Sequence, residues 1–220
     1  MVHAGRSGSR RDAQFRHHEL YQGQDRRPVQ VTLATGVAPF AKASGSSAAI
    51  DRVGIEVRGD TLVVRSASSW GGYPGTNTGP VEVALGTHDL TNAWLSGAGS
   101  LLIDRARGLS FALSVQGSGR AEIASADADQ LSVSLVGSGS ARLAGRTKKL
   151  TALVRGISAL DAAALAAADA TLGADGAATI DANVTGDAAV DATGPATIRL
   201  TGRPACTLKV AGSTTVTGCR

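Results

Sequence analysis

From Val31 onward, apolar and polar residues alternate in short runs broken by glycine. Residues 31–33, 55–57, 61–65 and 81–85 follow a period of two or run apolar, the pattern of strands with one buried face. Gly59-Asp60 is a turn signal between two of these runs. In the C-terminal half the alternation is tied to a recurring glycine-centred unit. Its copies are Ser96-Gly97-Ala98-Gly99, Gln116-Gly117-Ser118-Gly119 and Val136-Gly137-Ser138-Gly139. Looser copies follow at Arg155-Gly156-Ile157-Ser158, Ala174-Asp175-Gly176, Ala192-Thr193-Gly194 and Val210-Ala211-Gly212. The closing residues are Gly99, Gly119, Gly139, Ser158, Gly176, Gly194 and Gly212, spaced 20, 20, 19, 18, 18 and 18 apart. Four places later an aliphatic residue follows in six copies: Ile103, Ile123, Leu143, Ile180, Ile198 and Val216. The fourth copy has Asp161 and Ala162 near that place.

A period of 18–20 residues predicts an all-β solenoid, a parallel β-helix in which each coil buries its inward face only by stacking on the next. At ~3.3 Å per residue, such a coil closes as a small triangle of three short strands. Glycine and serine then mark a corner, where positive φ or close backbone approach is needed. So narrow a triangle holds Ala, Val, Leu and Ile but few rings, in keeping with an aromatic content of 3%. Six coil steps of ~4.8 Å give a rod of roughly 29 Å over this half. The competing element is a helix over residues 157–172, which are rich in helix formers. It would interrupt the stack and leave sheet edges open.

Residues 1–30 do not share this texture. They contain Arg10-Arg11, His17-His18 and Arg26-Arg27 and no apolar period, and they read as a leader set apart from a single solenoid domain over 31–220. One reading is a disordered basic arm. The other is translation in a shifted frame: with permissible codons, the neighbouring frame yields an alanine-rich segment like a signal-cleavage region, then an alternating strand ending in G-P-F. That reading places the native product outside the cytoplasm.

The formal net charge of +4 raises the question of nucleic acid. The leader carries 6 of the 22 Lys+Arg, and the remainder is close to neutral. Phosphate binding needs basic groups gathered on one face. Only Arg142, Arg146, Lys148 and Lys149 come close, and a solvated turn is the expectation, with no nucleic-acid partner. The composition lacks the charge excess of disorder. No apolar run approaches the ~18 residues of a membrane helix.

Several segments together resemble the putative auto-transporter adhesin, head GIN domain family of bacterial extracytoplasmic proteins. They are Asp51-Arg52-Val53, the run Gly59-Asp60-Thr61-Leu62-Val63-Val64-Arg65, Gly79-Pro80-Val81-Glu82-Val83, the repeated corners, and Gly202-Arg203-Pro204-Ala205-Cys206 through to Cys219. The similarity covers about residues 31–220. The family's opening strand, ending in G-P-F, is missing as written and reappears in the shifted frame. The resemblance implies a right-handed β-helix, and it brings no catalytic residues with it.

Candidate chemistry is sparse. Cys206 and Cys219, 13 apart, are either two free thiols or a disulfide pinning the C-terminal coil; export favours the bridge. No metal-ligand spacing occurs, and no cofactor is expected. Outside the leader His88 is the one histidine, and beside Asp89 it reads as a surface turn. Asp169 and Asp187, 18 apart, are placed to stack on adjacent coils, where paired carboxylates share a proton or bind a cation. The equivalent place on the following coil is Ala205, which offers no cation, and Asp161, Asp175, Asp181 and Asp191 count to other phases. Solvated corners are therefore expected. Trp70 and Tyr73, in the loop 68–79, and Trp94 are the rings available to stack on a sugar or to pack over the solenoid.

The expected function is a non-enzymatic, secreted, periplasmic or cell-surface interaction module, with envelope or host glycans or proteins as partners. The alternatives are a glycan-cleaving enzyme on the same scaffold and a purely structural envelope component. A cleft lined by three or more stacked ionisable residues is the feature that favours the enzyme.

Overall fold

The computed structural model describes residues 29–45 and 81–220 in full, and β1 (His17–Tyr21), β4 (Val53–Arg58) and β5 (Thr61–Ser66) as strands. The other strands are β2 (Val29–Thr35), β3 (Phe40–Ser44), β6 (Val81–Thr87), β7 (Asn92–Gly97), β8 (Ser100–Gly117), β9 (Arg120–Gly137), β10 (Ser140–Gly156) and β11 (Ala159–Asp175). They continue with β12 (Thr179–Val184), β13 (Asp187–Thr193), β14 (Thr197–Thr201), β15 (Ala205–Ala211) and β16 (Thr215–Thr217). The described residues contain strands and no helix, stacked in parallel as a β-solenoid of about 6 turns.

Each of β8 to β11 is 17 or 18 residues long because its hydrogen-bond ladder continues round the bends of the coil. Their N-terminal stretches build one face, in the order β3, β6, β2, β8, β9, β10, β11, β12, β14, β16. Their C-terminal stretches build another, in the order β4, β5, β1, β7, β8, β9, β10, β11, β13, β15. The N-terminal edges carry the antiparallel pairs β3 with β6 and β4 with β5. The solenoid strand β2 starts at Val29, two residues ahead of the boundary read from sequence, and β1 lies within the segment set apart as a leader.

Residues 157–172 lie largely in β11, where Leu160, Ala162, Leu165, Ala167, Ala170 and Leu172 are buried. Their helix propensity of a few tenths of a kcal/mol per residue is overridden by packing on both neighbouring coils.

The corner consists of two rows rather than one. Gly97, Gly117, Gly137, Gly156, Gly176, Gly194 and Gly212 stack with φ between 88 and 115°. Two residues on, Gly99, Gly119, Gly139, Ser158, Ala178 and Ala196 form a buried row whose carbonyls accept the N–H of the next coil's first strand residue. Counting Gly99, Gly119, Gly139, Ser158, Gly176, Gly194 and Gly212 as one series therefore changes rows after Ser158. On the glycine row the spacings are 20, 20, 19, 20, 18 and 18. The coil of β11 is wide because it bulges between Ala162 and Ala166, and Leu165, fully buried, fills the added space. As a result Ile180, Ile198 and Val216 continue the row of Leu101, Ala121, Ala141 and Leu160, whereas Ile103, Ile123 and Leu143 continue into Ala162.

A Cβ on Gly137 would stand 2.7 Å from the Gly117 carbonyl oxygen, on a backbone at φ 115°. Gly137→Ala is expected to cost about 1–3 kcal/mol, as a residue held in a sparsely allowed region does. Chemical denaturation measures it, and a change within error would mean that the corner relaxes freely.

Candidate functional site

On the first face, one outward row carries Glu122, Arg142, Asp161, Asp181 and Arg199 on five successive coils, with Leu102 before it and Thr217 after. Alternation fixes their direction: Ala121, Ile123, Ala141 and Leu143 point inward between them and are buried. Arg142 Nε donates to Asp161 Oδ2 at 3.0 Å, and Arg199 Nη1 donates to Asp181 Oδ1 at 3.3 Å. These side chains are 35 to 67% exposed, so each pair is a solvated one. Beside them runs a row of Arg120, Ser140, Ala159, Thr179 and Thr197. Between the two rows lies an open groove of about 250 Å³, with Ser140, Ala159 and Thr179 along one side and the charged row along the other.

Asp161 and Asp181 are thus in phase, contrary to the count made from sequence. The extra residues of the β11 bulge put them 20 apart instead of 18. The row was available in the sequence: each of its members lies five residues after a glycine of the Gly97 series.

Asp169 and Asp187 are stacked on adjacent coils. Asp187 N–H donates to Asp169 Oδ1 at 3.1 Å, so Asp169 caps the start of β13. Lys149 occupies the equivalent place on the coil before and Ala205 on the coil after. Lys149 is 20 residues before Asp169, whereas Asp187 and Ala205 follow at steps of 18. Among the described residues, no group of three or more His, Cys, Asp or Glu is arranged to hold a metal.

The four basic residues weighed as a patch are largely matched with acids. Arg146 donates twice to Asp127, at 2.8 and 3.2 Å, and Lys148 lies 2.9 Å from Asp129. The Arg146 hydrogen bond holds the Asp127 carboxyl below its ordinary value, with Arg107 adding to the effect. The same contact raises Arg146. With Arg142 on Asp161, three of the four face a carboxylate on a neighbouring coil.

Trp94 projects outward from β7 on the other face, 39% exposed, in line with Ser114 and Ser134. Trp70 and Tyr73 lie outside the described residues. His88 is exposed, and its carbonyl accepts the Gly36 N–H. Cys206 and Cys219 form a disulfide.

Stacked parallel coils define the class, a β-solenoid. The chain belongs to the family described as "Putative auto-transporter adhesin, head GIN domain", which matches residues 26–204. Among curated proteins, none matches the chain. Solved structures share the fold. A "putative adhesin" from Bacteroides fragilis aligns at 16% identity with TM-score 0.76, covering 92% of this chain and 90% of that one. A "putative lipid binding protein" from Parabacteroides distasonis aligns at 18% identity with TM-score 0.70, covering 94% and 93%. A "putative adhesin" from Parabacteroides merdae aligns at 16% identity with TM-score 0.63, covering 92% and 90%. Among the described residues, no helix is long and apolar enough to cross a membrane.

Proposed function

We propose that this chain is a non-enzymatic, extracytoplasmic interaction module of the bacterial cell envelope, holding its partners by many weak contacts along a flat solenoid face. The observation that carries this reading is the row from Glu122 to Arg199. It supplies five outward-facing ionisable groups in register, and its central carboxylates are each paired with a guanidinium.

The same row meets the count that favours a glycan-cleaving enzyme, so the two readings have to be separated by geometry. General acid–base catalysis needs a proton donor and acceptor free to reach the substrate, in a site that excludes water. Here Arg142 and Arg199 occupy the carboxylates, and the paired side chains are solvated. A lipid ligand fits less well, because the groove is lined by charged and small polar groups and the solenoid interior is filled by its own side chains. The disulfide suits an oxidising compartment, in line with the adhesin label of the family. Envelope or host glycans and proteins are the candidate partners.

The test pairs binding with turnover. Purified chain is incubated with envelope fractions and a panel of acidic polysaccharides, and both retention and new chain ends are measured. Retention without new ends is expected. Asp169→Ala with Asp187→Ala should leave retention unchanged. Glycan cleavage that disappears in Asp161→Asn or Asp181→Asn would overturn the reading in favour of the enzyme.

A further inference from the structure

The order of charges along the first face has a property that a generic polar surface lacks. Read from β9 to β14 it runs Glu122, Arg142, Asp161, Asp181, Arg199: negative, positive, negative, negative, positive. Reversed and laid over itself about Asp161, the row matches opposite charges at every place but the centre. Glu122 then faces Arg199 of the second copy, and Arg142 faces Asp181 of the second copy. A two-fold axis repeats both contacts, giving four complementary pairs. Centring the overlay between Asp161 and Asp181 instead would set Asp against Asp and Arg142 against Arg199. The register about Asp161 is therefore distinguished by charge alone.

A second observation, from the whole circumference of the coils, agrees with it. Residues 100–160 contain eight basic and four acidic residues, whereas residues 161–200 contain six acidic and one basic. The solenoid is thus cationic through β8 to β10 and anionic through β11 to β14. Two copies lying side by side in antiparallel orientation, crossing near Asp161, set the cationic half of each against the anionic half of the other. Steric conditions also suit the pairing. Past Arg120 at one end, the row beside the charges carries Ser140, Ala159, Thr179 and Thr197, which leave a flat sheet room for close approach. At the centre, each Asp161 already holds Arg142 at 3.0 Å, which offsets the meeting of two like charges.

We propose that the partner of the first face is a second copy of this chain, docked antiparallel about a two-fold axis through Asp161, an inference that rests on the interaction reading of that face. Self-complementarity is what an isologous interface requires. Because the contacts are solvent-exposed ion pairs, the association is weak and salt-sensitive.

The experiment is sedimentation equilibrium of the full chain at low and high salt, with a charge swap. The wild type should dimerise at low salt and dissociate as salt rises. Arg142→Asp and Asp181→Arg should each weaken self-association about tenfold or more, since each sets like charges at two contacts. Mixed in equal amounts, the two variants should associate with each other at wild-type strength, because both contacts are then complementary again. Asp161→Asn, which removes the like pair on the axis, should tighten the dimer. Thermal midpoints near that of the wild type show that the variants fold. A wild type that stays monomeric at low salt, or a mixture that associates no better than either variant alone, overturns the proposal. A chain that stays monomeric but is retained by envelope fractions leaves the interaction reading intact with a different partner. A dimer that also cleaves glycan keeps the pairing and overturns that reading.

Discussion

Phe111→Ala is expected to lower the stability of the solenoid by about 3–5 kcal/mol, the loss typical of a large buried aromatic. Among the described residues, Phe111 is the largest of the fully buried side chains, with 1% of its surface exposed. It heads an inward row that continues through Leu131, Leu150, Ala170, Ala188 and Cys206 on successive coils. The space around Phe111 is set by backbone that neighbouring ladders hold on both sides. Such a cavity collapses poorly, which puts the expected loss at the upper part of the range for core truncations. Phe111→Leu, which copies the next residue in the row, should cost less because most of the volume is kept. Urea unfolding of the two variants measures the difference. A loss below ~1 kcal/mol for the alanine variant would mean that the coil shrinks around the gap and that width is not fixed by the ladder.

The fold was legible in the sequence because a solenoid writes its period into the chain. Each coil needs a glycine where the backbone turns at positive φ under the coil before, and that requirement recurs at nearly constant spacing. What the period could not give was the register through β11. Two corner rows lie two residues apart, and Ser158 and Gly176 belong to different ones, so a single series miscounted that coil. The bulge between Ala162 and Ala166 is made of alanine and leucine, residue types with no local signal for a bulge. Its consequence was chemical: Asp161 and Asp181 were counted out of phase, and the charged row across five coils went unseen. The Asp169 and Asp187 stack was found because no irregularity separates those two positions in their ladder. Its neighbour Lys149 lies 20 residues before Asp169, outside the 18-residue step that relates Asp169, Asp187 and Ala205.

Removing the disulfide, by reduction or by Cys206→Ser with Cys219→Ser, is expected to cost about 3 kcal/mol, the loop-closure value for a bridge of this span. The effect should be concentrated at one end. β15 pairs with β13 and β16 with β14, and among the described residues no further coil covers them. Leu208 and Val210 continue the inward rows of Val190 and Ala192, yet they are 48 and 43% exposed. The last coil therefore gains little from burial and is the part of the stack most prone to fray. The bridge ties the start of β15 to the tail beyond β16, where Arg220 N–H also returns to the Pro204 carbonyl. Because stability in a stacked repeat passes from neighbour to neighbour, opening this coil exposes β13 and β14 next. Amide exchange resolves the order. In the bridgeless protein β15 and β16 should lose protection first and most, with β9 and β10 protected as before. Equal loss along the whole rod would mean that the solenoid opens as one unit and that the bridge acts on the unfolded chain alone.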